Sequence, residues 1–181
     1  MRAFVGLPVP EAWIGPLVRA QGLVAGGRRV DADDLHLTLA FLDDQPEAAL
    51  EALHEALEAR ALPAATLRPL AWALLGGGRP RALVLDLAPD PGLAALHDAV
   101  RGACRGAGIA LPRERFRPHV TLARYGATAP ADAGRLPGAM ARLGVPEMAP
   151  AAAGAVTLWS SHLTPQGPHY EPLATYRLRA A

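Results

Sequence analysis

Hydrophobic and polar positions alternate with a period of two through Leu35-His36-Leu37-Thr38-Leu39-Ala40-Phe41-Leu42, and the pattern returns as Pro118-His119-Val120-Thr121-Leu122-Ala123-Arg124-Tyr125. Successive side chains of a β-strand alternate faces, so His36, Thr38 and Ala40 share one face and Leu35, Leu37 and Leu39 the other. In the second copy His119, Thr121 and Ala123 oppose Val120 and Leu122. Both copies read His, branched aliphatic, Thr, Leu, Ala, and this self-similarity predicts two related halves.

Around these strands the chain alternates strand-like and helix-like patterns. Residues 2–7 read as a strand stopped by Pro8 and Pro10, and residues 11–25 as a helix that Gly15-Pro16 should break or restart. A polar turn over residues 31–34 leads into the first motif strand. After it, Asp43-Asp44 can cap a helix over residues 46–60, in which Leu50, Leu53 and Leu57 recur at helical spacing. Strands over residues 66–75 and 81–87, joined by Gly76-Gly77-Gly78-Arg79-Pro80, form a hairpin pattern. A helix over residues 91–107 carries Leu93, Leu96 and Val100 on one face. Residues 126–150 are rich in Pro and Gly, with one short helix near Met140. Strands over 155–163 and 170–178 follow, separated by the turn Thr164-Pro165-Gln166-Gly167. The expected class is α+β, with two antiparallel sheets facing each other across a cleft in a bilobal, pseudo-two-fold arrangement. The His/Thr faces would meet in the cleft and the Leu/Val faces would pack against outer helices.

A chain of 181 residues is expected to form one bilobal domain over residues 1–181. A hydrophobic fraction of 51% against 19% charged residues excludes disorder, and a net charge of +1 excludes a long track for duplex nucleic acid. A short nucleic-acid end remains open. The apolar run at the N-terminus is too short for a signal segment and no stretch approaches a membrane span, so the expectation is a cytoplasmic protein without a membrane partner. Cys104 is the single cysteine, which excludes disulfide frameworks, redox pairs and Cys-rich zinc sites. The chain has no lysine, which removes Schiff-base chemistry, the P-loop lysine and the lysine nucleophile of ATP-dependent nucleic-acid ligases. Its serines, Ser160 and Ser161, stand in no nucleophile-elbow pattern.

Two histidines and two threonines suit the hydrolysis of a strained phosphodiester. One neutral imidazole takes a proton from the attacking water while a protonated one gives a proton to the leaving oxygen. Histidine has an ordinary pKa of about 6.5, so both forms are accessible near neutrality. The hydroxyls of Thr38 and Thr121 can donate to the non-bridging oxygens as charge builds there.

These residues resemble the 2H phosphoesterases, specifically the bacterial and archaeal RNA 2′,3′-cyclic phosphodiesterases also called 2′-5′ RNA ligases. The likeness covers nearly the whole chain: Arg2-x-Phe4 with Pro8 beyond it, the two His-x-Thr strands, Phe116-x-Pro118, and Ser161-x-Leu163-x-Pro165-x-Gly167-x-x-Tyr170. The family pattern has Gly after the first Phe-Leu where this chain has Asp43, a residue that also tolerates turn conformations. The resemblance implies His36 and His119 as catalytic acid and base respectively, with Thr38 and Thr121 on the phosphate. It implies neither metal nor cofactor, and opening of a terminal 2′,3′-cyclic phosphate to a 2′-phosphate. Ligation is the same chemistry reversed, with an RNA 5′-hydroxyl in place of water. The expected partners are RNA ends carrying the cyclic phosphate, such as tRNA fragments or short oligonucleotides, and a monomeric protein. Phe41 and Arg124, each five residues beyond a histidine, are expected as substrate-binding residues that turn into the cleft mouth and clasp the terminal base. Strict alternation would point both away, so each strand must twist, bulge or end just after Thr38-Leu39 and Thr121-Leu122.

Other readings compete. His162-Leu163-Thr164 is a third His-x-Thr triplet that Pro165 interrupts, and is taken as a decoy. His54 and His97 fall in helices as surface residues, and Arg113, Arg115 and Arg117 read as a solvated loop rather than an RNA guide. A non-catalytic RNA-end binder is the alternative function. A metal protein using His36, His119 and Asp33 or Asp34 is a third, disfavoured because each His-x-Thr strand supplies one ligand.

Overall fold

The computed structural model describes residues 1–179 apart from 25, 78, 114, 127–134 and 166. Gly78 of the hairpin connection, Gln166 of the tail turn and part of the 126–150 excursion therefore lie outside the described residues. The strands are β1 (Arg2–Pro8), β2 (Arg28–Arg29), β3 (His36–Asp44), β4 (Thr66–Leu67), β5 (Pro69–Leu75), β6 (Ala82–Leu87), β7 (His119–Arg124), β8 (Ala151–Ala152), β9 (Ala155–Thr164) and β10 (Gly167–Arg177). The helices are α1 (Glu11–Leu23), α2 (Glu47–Glu58), α3 (Pro91–Gly106) and α4 (Leu136–Leu143), with a 3₁₀ turn at Ala32–Asp34.

The antiparallel strand order is β10-β9-β1-β3-β7-β6-β5, with β2 added on β7 and a separate β4-β8 pair. Within that order β3 and β7 share a single paired position, Leu37↔Val120. The eight-stranded sheet thus has two antiparallel halves, β10-β9-β1-β3 and β7-β6-β5, joined where the two His-x-Thr strands run side by side, and β4-β8 is the second sheet. This is the α+β architecture expected from the repeated motif. Strand β1 is buried over five consecutive residues, Ala3 to Leu7, because β3 and β9 flank it and both of its faces are covered.

Burial along α1 follows the helical period at Trp13, Leu17 and Ala20. That helix runs through Gly15-Pro16 without a break, contrary to the expectation. Pro16 forfeits one backbone hydrogen bond, at a cost of about 3 kcal/mol, but Trp13 and Leu17 are withdrawn from solvent almost completely and the Trp13 indole N–H donates to the Ala149 carbonyl at 2.9 Å. Tertiary burial outweighs the local penalty.

A second correction concerns Asp43-Asp44, which cap nothing: α2 begins after Pro46 with no side-chain cap, while both aspartates extend β3 opposite Ala3 and Arg2. The expected strand over 66–75 is likewise two strands, because Thr66–Leu67 pairs with β8 and Pro69–Leu75 with β6. Pro69 brings no N–H to a ladder and sits at the start of an edge strand. Helix α3 starts as its sequence indicates, with the Asp90 carboxylate accepting from the Leu93 N–H at 2.9 Å and Pro91 in the first turn.

Gly6 lies opposite Thr38 and Thr157, at the centre of the first sheet. A Cβ there would collide with the Leu37 carbonyl oxygen of the motif strand. Gly6→Ala is therefore expected to destabilise the protein by about 1–3 kcal/mol, read as a lower urea midpoint at unchanged m-value. An unshifted midpoint would show that β1 and β3 are not held at this separation.

Candidate active site

The two motif strands share one burial sequence. His36 and Thr38 are half-buried, Leu37, Leu39 and Ala40 are buried, and Phe41 is exposed; His119, Val120, Thr121, Leu122, Ala123 and Arg124 repeat that order. The two consecutive buried positions reveal why alternation fails. Against β1, Gly6 faces Thr38 and Val5 faces Ala40, so Leu39 is an extra residue. Against β6, Val84 faces Thr121 and Leu83 faces Ala123, so Leu122 is the extra one. Each bulge shifts the downstream face by one residue and turns the fifth residue after the histidine toward the histidine side. The Leu122 carbonyl at the second bulge accepts from the Val30 N–H at 2.9 Å and from the buried Gln21 amide at 2.8 Å, which supports the irregular backbone. Further along β3, Asp43 adopts φ 55°, the left-handed conformation for which the family pattern uses Gly.

Both histidines are oriented by the backbone two residues before them. Nδ1 of His36 lies 2.6 Å from the Asp34 carbonyl oxygen and Nδ1 of His119 lies 2.7 Å from that of Arg117. A carbonyl only accepts, so each Nδ1 carries its proton and each neutral ring presents an unprotonated Nε2. The Thr38 hydroxyl is 3.1 Å from Nε2 of His36. The His36 ring is enclosed by Phe4, Trp159 and Tyr170, with centroid separations of 4.6, 5.6 and 5.4 Å. This burial pushes its pKa down to about 4; the Asp34 carbonyl resists the shift, and the charges of Arg124 and His119 add to it. His36 is consequently neutral in the unliganded protein at pH 7.

Thr38, Phe41, His119 and Arg124 line one cleft of about 690 Å³. His36 lies behind that wall within its aromatic enclosure, close enough to feel the charges of His119 and Arg124. Thr121 is half-buried on β7 and is not among the lining residues. The lining also contains Arg2, Arg28, Arg101, Arg115 and Arg117, so six arginines face a single carboxylate, Asp43, among the described lining residues. For a chain of net charge +1 this is a strong local concentration of positive charge. His162 is exposed, pairs with Ser160 Oγ at 3.1 Å and lies outside the cleft that its neighbours Ser161 and Leu163 line.

One expectation is overturned here. His97 is no surface residue: it is 9% exposed, stacks on Phe116 at 4.0 Å and 16°, and lines the cleft beside Arg101 one helical turn on. His54 is half-buried, with Nδ1 3.0 Å from the Tyr176 hydroxyl. Arg113, Arg115 and Arg117 are exposed, as the solvated-loop reading expects; Arg115 and Arg117 also border the cleft, and Arg117 makes a bidentate pair with Asp86 at 3.0 and 2.6 Å. Phe4 and Tyr170 stand in the family signature, but Trp159 and Arg28 carried no local signal, and the enclosure itself joins three strands that only the sheet order brings together. Among the described residues, no three His, Cys, Asp or Glu side chains gather as a metal-binding set.

The sequence profile of the 2′-5′ RNA ligase superfamily matches residues 8–164. The chain belongs to that family. Members of the 2′-5′ RNA ligase superfamily are also 2H phosphoesterases, a name that describes the paired histidine strands. A protein of Geobacillus stearothermophilus named RNA 2′,3′-cyclic phosphodiesterase is 33% identical over 162 residues, covering 84% of this chain and 48% of that protein. The chain thus spans about half the length of this curated relative. A crystal structure of a Thermus thermophilus protein is 29% identical, covers 99% of this chain and 98% of its own, and superposes with a TM-score of 0.76. E. coli LigT complexed with 3′-AMP is 25% identical, covers 99% of this chain and 98% of its own, and has a TM-score of 0.75.

Proposed function

We propose that this protein is an RNA 2′,3′-cyclic phosphodiesterase that opens a terminal cyclic phosphate to a 2′-phosphate. The observation that carries the reading is the pair of bulged His-x-Thr strands, each with Nδ1 held by a backbone carbonyl, placed side by side at an arginine-lined cleft. The Geobacillus relative's name and the 3′-AMP complex of LigT support a nucleotide phosphoester as substrate. In this mechanism Nε2 of His119 takes a proton from water as its oxygen attacks phosphorus. The P–O3′ bond breaks, and Nε2 of His36 gives its proton to the departing O3′, leaving a 2′-phosphate and a 3′-hydroxyl. His36 is neutral before substrate arrives, so its proton is acquired with the anionic phosphate, whose charge favours the imidazolium. Thr38 and Thr121 donate to the non-bridging oxygens, and the arginines offset the charge that develops there. With an RNA 5′-hydroxyl in place of water, the same course, in which the O5′–P bond forms as P–O3′ breaks, gives a 2′-5′ linkage without ATP.

Incubation with an oligonucleotide ending in 2′,3′-cyclic phosphate, with chelator present, tests the reading. The expected product carries a 2′-phosphate; recovery of unchanged cyclic ends would refute the activity and favour a non-catalytic RNA-end binder.

Phe41 and Arg124 are assigned to the terminal base. Phe41 is 58% exposed at the cleft wall, an unusual state for a ring unless something covers it. An aromatic face and a guanidinium plane stack on any base without reading its identity. Phe41→Ala and Arg124→Ala should each weaken substrate binding by about 1–3 kcal/mol while leaving turnover of a cyclic phosphate without a base nearly unchanged. Equal losses on both substrates would assign these residues to the phosphate instead.

A further inference from the structure

Strand β9 outruns its neighbour in the sheet. It pairs with β1 from Thr157 to Ser160, and beyond that point residues 161–164 pair with residues 167–170 of β10 as a two-stranded arm. Ser161, Leu163, Pro168 and Tyr170 of this arm line the cleft, while His162 and His169 are exposed on its other face. In the strand order β1 and β3 separate β9 from β7, the strand that carries β2. The arm nevertheless reaches β2, because Gly167 lies so close to the Arg28 guanidinium that a Cβ would collide with it. Gly167 also adopts φ 134°, which an L side chain rarely does. The arm therefore crosses from one half of the sheet to the other over His36, whose ring meets that of Tyr170 edge-on at 5.4 Å.

Its construction favours movement as a unit. On β10, Pro172 faces Trp159 and Ala174 faces Leu158, so Leu173 is an extra residue at the root of the arm. Pro168 and Pro172 bring no N–H to the ladder. On β9, Ser160 is buried opposite Ala3 and anchors the strand, whereas His162, Leu163 and Thr164 beyond it are exposed. A segment with few buried contacts opens locally at small cost. The position of the arm also has a chemical consequence. Thr38 and His119 form the cleft wall, while His36 stays behind it between Phe4, Trp159 and Tyr170.

We propose that the β9-β10 arm is a strap that pivots at Ser160 and Leu173, is shut when Gly167 seats on Arg28, and lifts to let the leaving O3′ reach Nε2 of His36. The role given to O3′ rests on the cyclic phosphodiesterase reading; the movement of the strap does not.

The test uses an Arg28→Cys/Pro168→Cys double variant, either bridged by a bifunctional methanethiosulfonate or capped at both thiols by methyl methanethiosulfonate. Both forms lack Arg28, so its charge cancels in the comparison. Cys104 is buried and its thiol is pushed up to about 11, which keeps it out of the reaction. On adenosine 2′,3′-cyclic phosphate the bridged form should turn over about tenfold or more slowly than the capped form, and dithiothreitol should restore it. Hydrogen exchange at the imidazole C2 position, read by mass spectrometry without substrate, should slow at His36 by about threefold or more on bridging and stay constant at His119. Gly167→Val, made in the otherwise native chain, prevents the tip from seating and should speed His36 exchange instead. Equal turnover of bridged and capped forms would overturn the strap, as would His36 exchange that neither bridging nor Gly167→Val changes. Failure of every form, wild type included, on cyclic phosphates would overturn the phosphodiesterase reading, and the exchange at His36 would then decide the strap by itself.

Discussion

His36→Ala and His119→Ala are each expected to lower the rate of cyclic-phosphate opening by roughly 10²–10⁴. The two losses have one origin, since a proton taken from water on one side must be matched by a proton given to O3′ on the other. Groups that act as a unit are strongly non-additive, so the double variant should fall little below the slower single one. Thr38→Val should cost less, about 1.5–3 kcal/mol for a hydroxyl bonded to a charged phosphate, although it also removes the 3.1 Å contact to Nε2 of His36. Steady-state kinetics, with thermal melts to verify folding, measure all four. Near-full activity in both single histidine variants would remove the mechanism.

The pH dependence of stability should be dominated in mildly acid solution by His36. Its native pKa of about 4 lies below the ordinary 6.5 because the ring is enclosed by Phe4, Trp159 and Tyr170. Between these two values the unfolded chain binds the proton and the native protein does not, so stability falls as pH drops from about 6.5 through about 4. The loss from this group amounts to roughly 3 kcal/mol at 1.36 kcal/mol per pK unit. Urea unfolding at pH 7 and pH 4 should show that loss in the wild type and a correspondingly smaller one in His36→Gln. Equal losses in the two proteins would show that His36 is solvated rather than enclosed.

Much of this arrangement was legible in two short strands. The faces of His36, Thr38, His119 and Thr121 follow from the pleat alone, and the repeated motif indicates two sheets. What the pleat does not contain is the extra residue in each strand. The positions of Phe41 and Arg124 depend on bulges at Leu39 and Leu122, which are properties of the pairing with β1 and β6 rather than of the motif. His97 illustrates the opposite limit. A histidine in an amphipathic helix reads as a surface residue until the segment before β7 folds Phe116 over it, a contact that helical periodicity does not encode. The same reasoning covers Pro16, whose local cost is visible in the sequence while the burial of Trp13 and Leu17 that offsets it is not.

The central claim is that His36 and His119 act on one phosphorus. Crystals grown with a nucleoside 2′-phosphate, the product of the proposed reaction, test it most directly. The account predicts Nε2 of His36 and Nε2 of His119 each within about 3 Å of different oxygens of the same phosphate, and about 5–7 Å from one another. A phosphate bound by one histidine, with Nε2 of the other turned away or beyond reach, would contradict it.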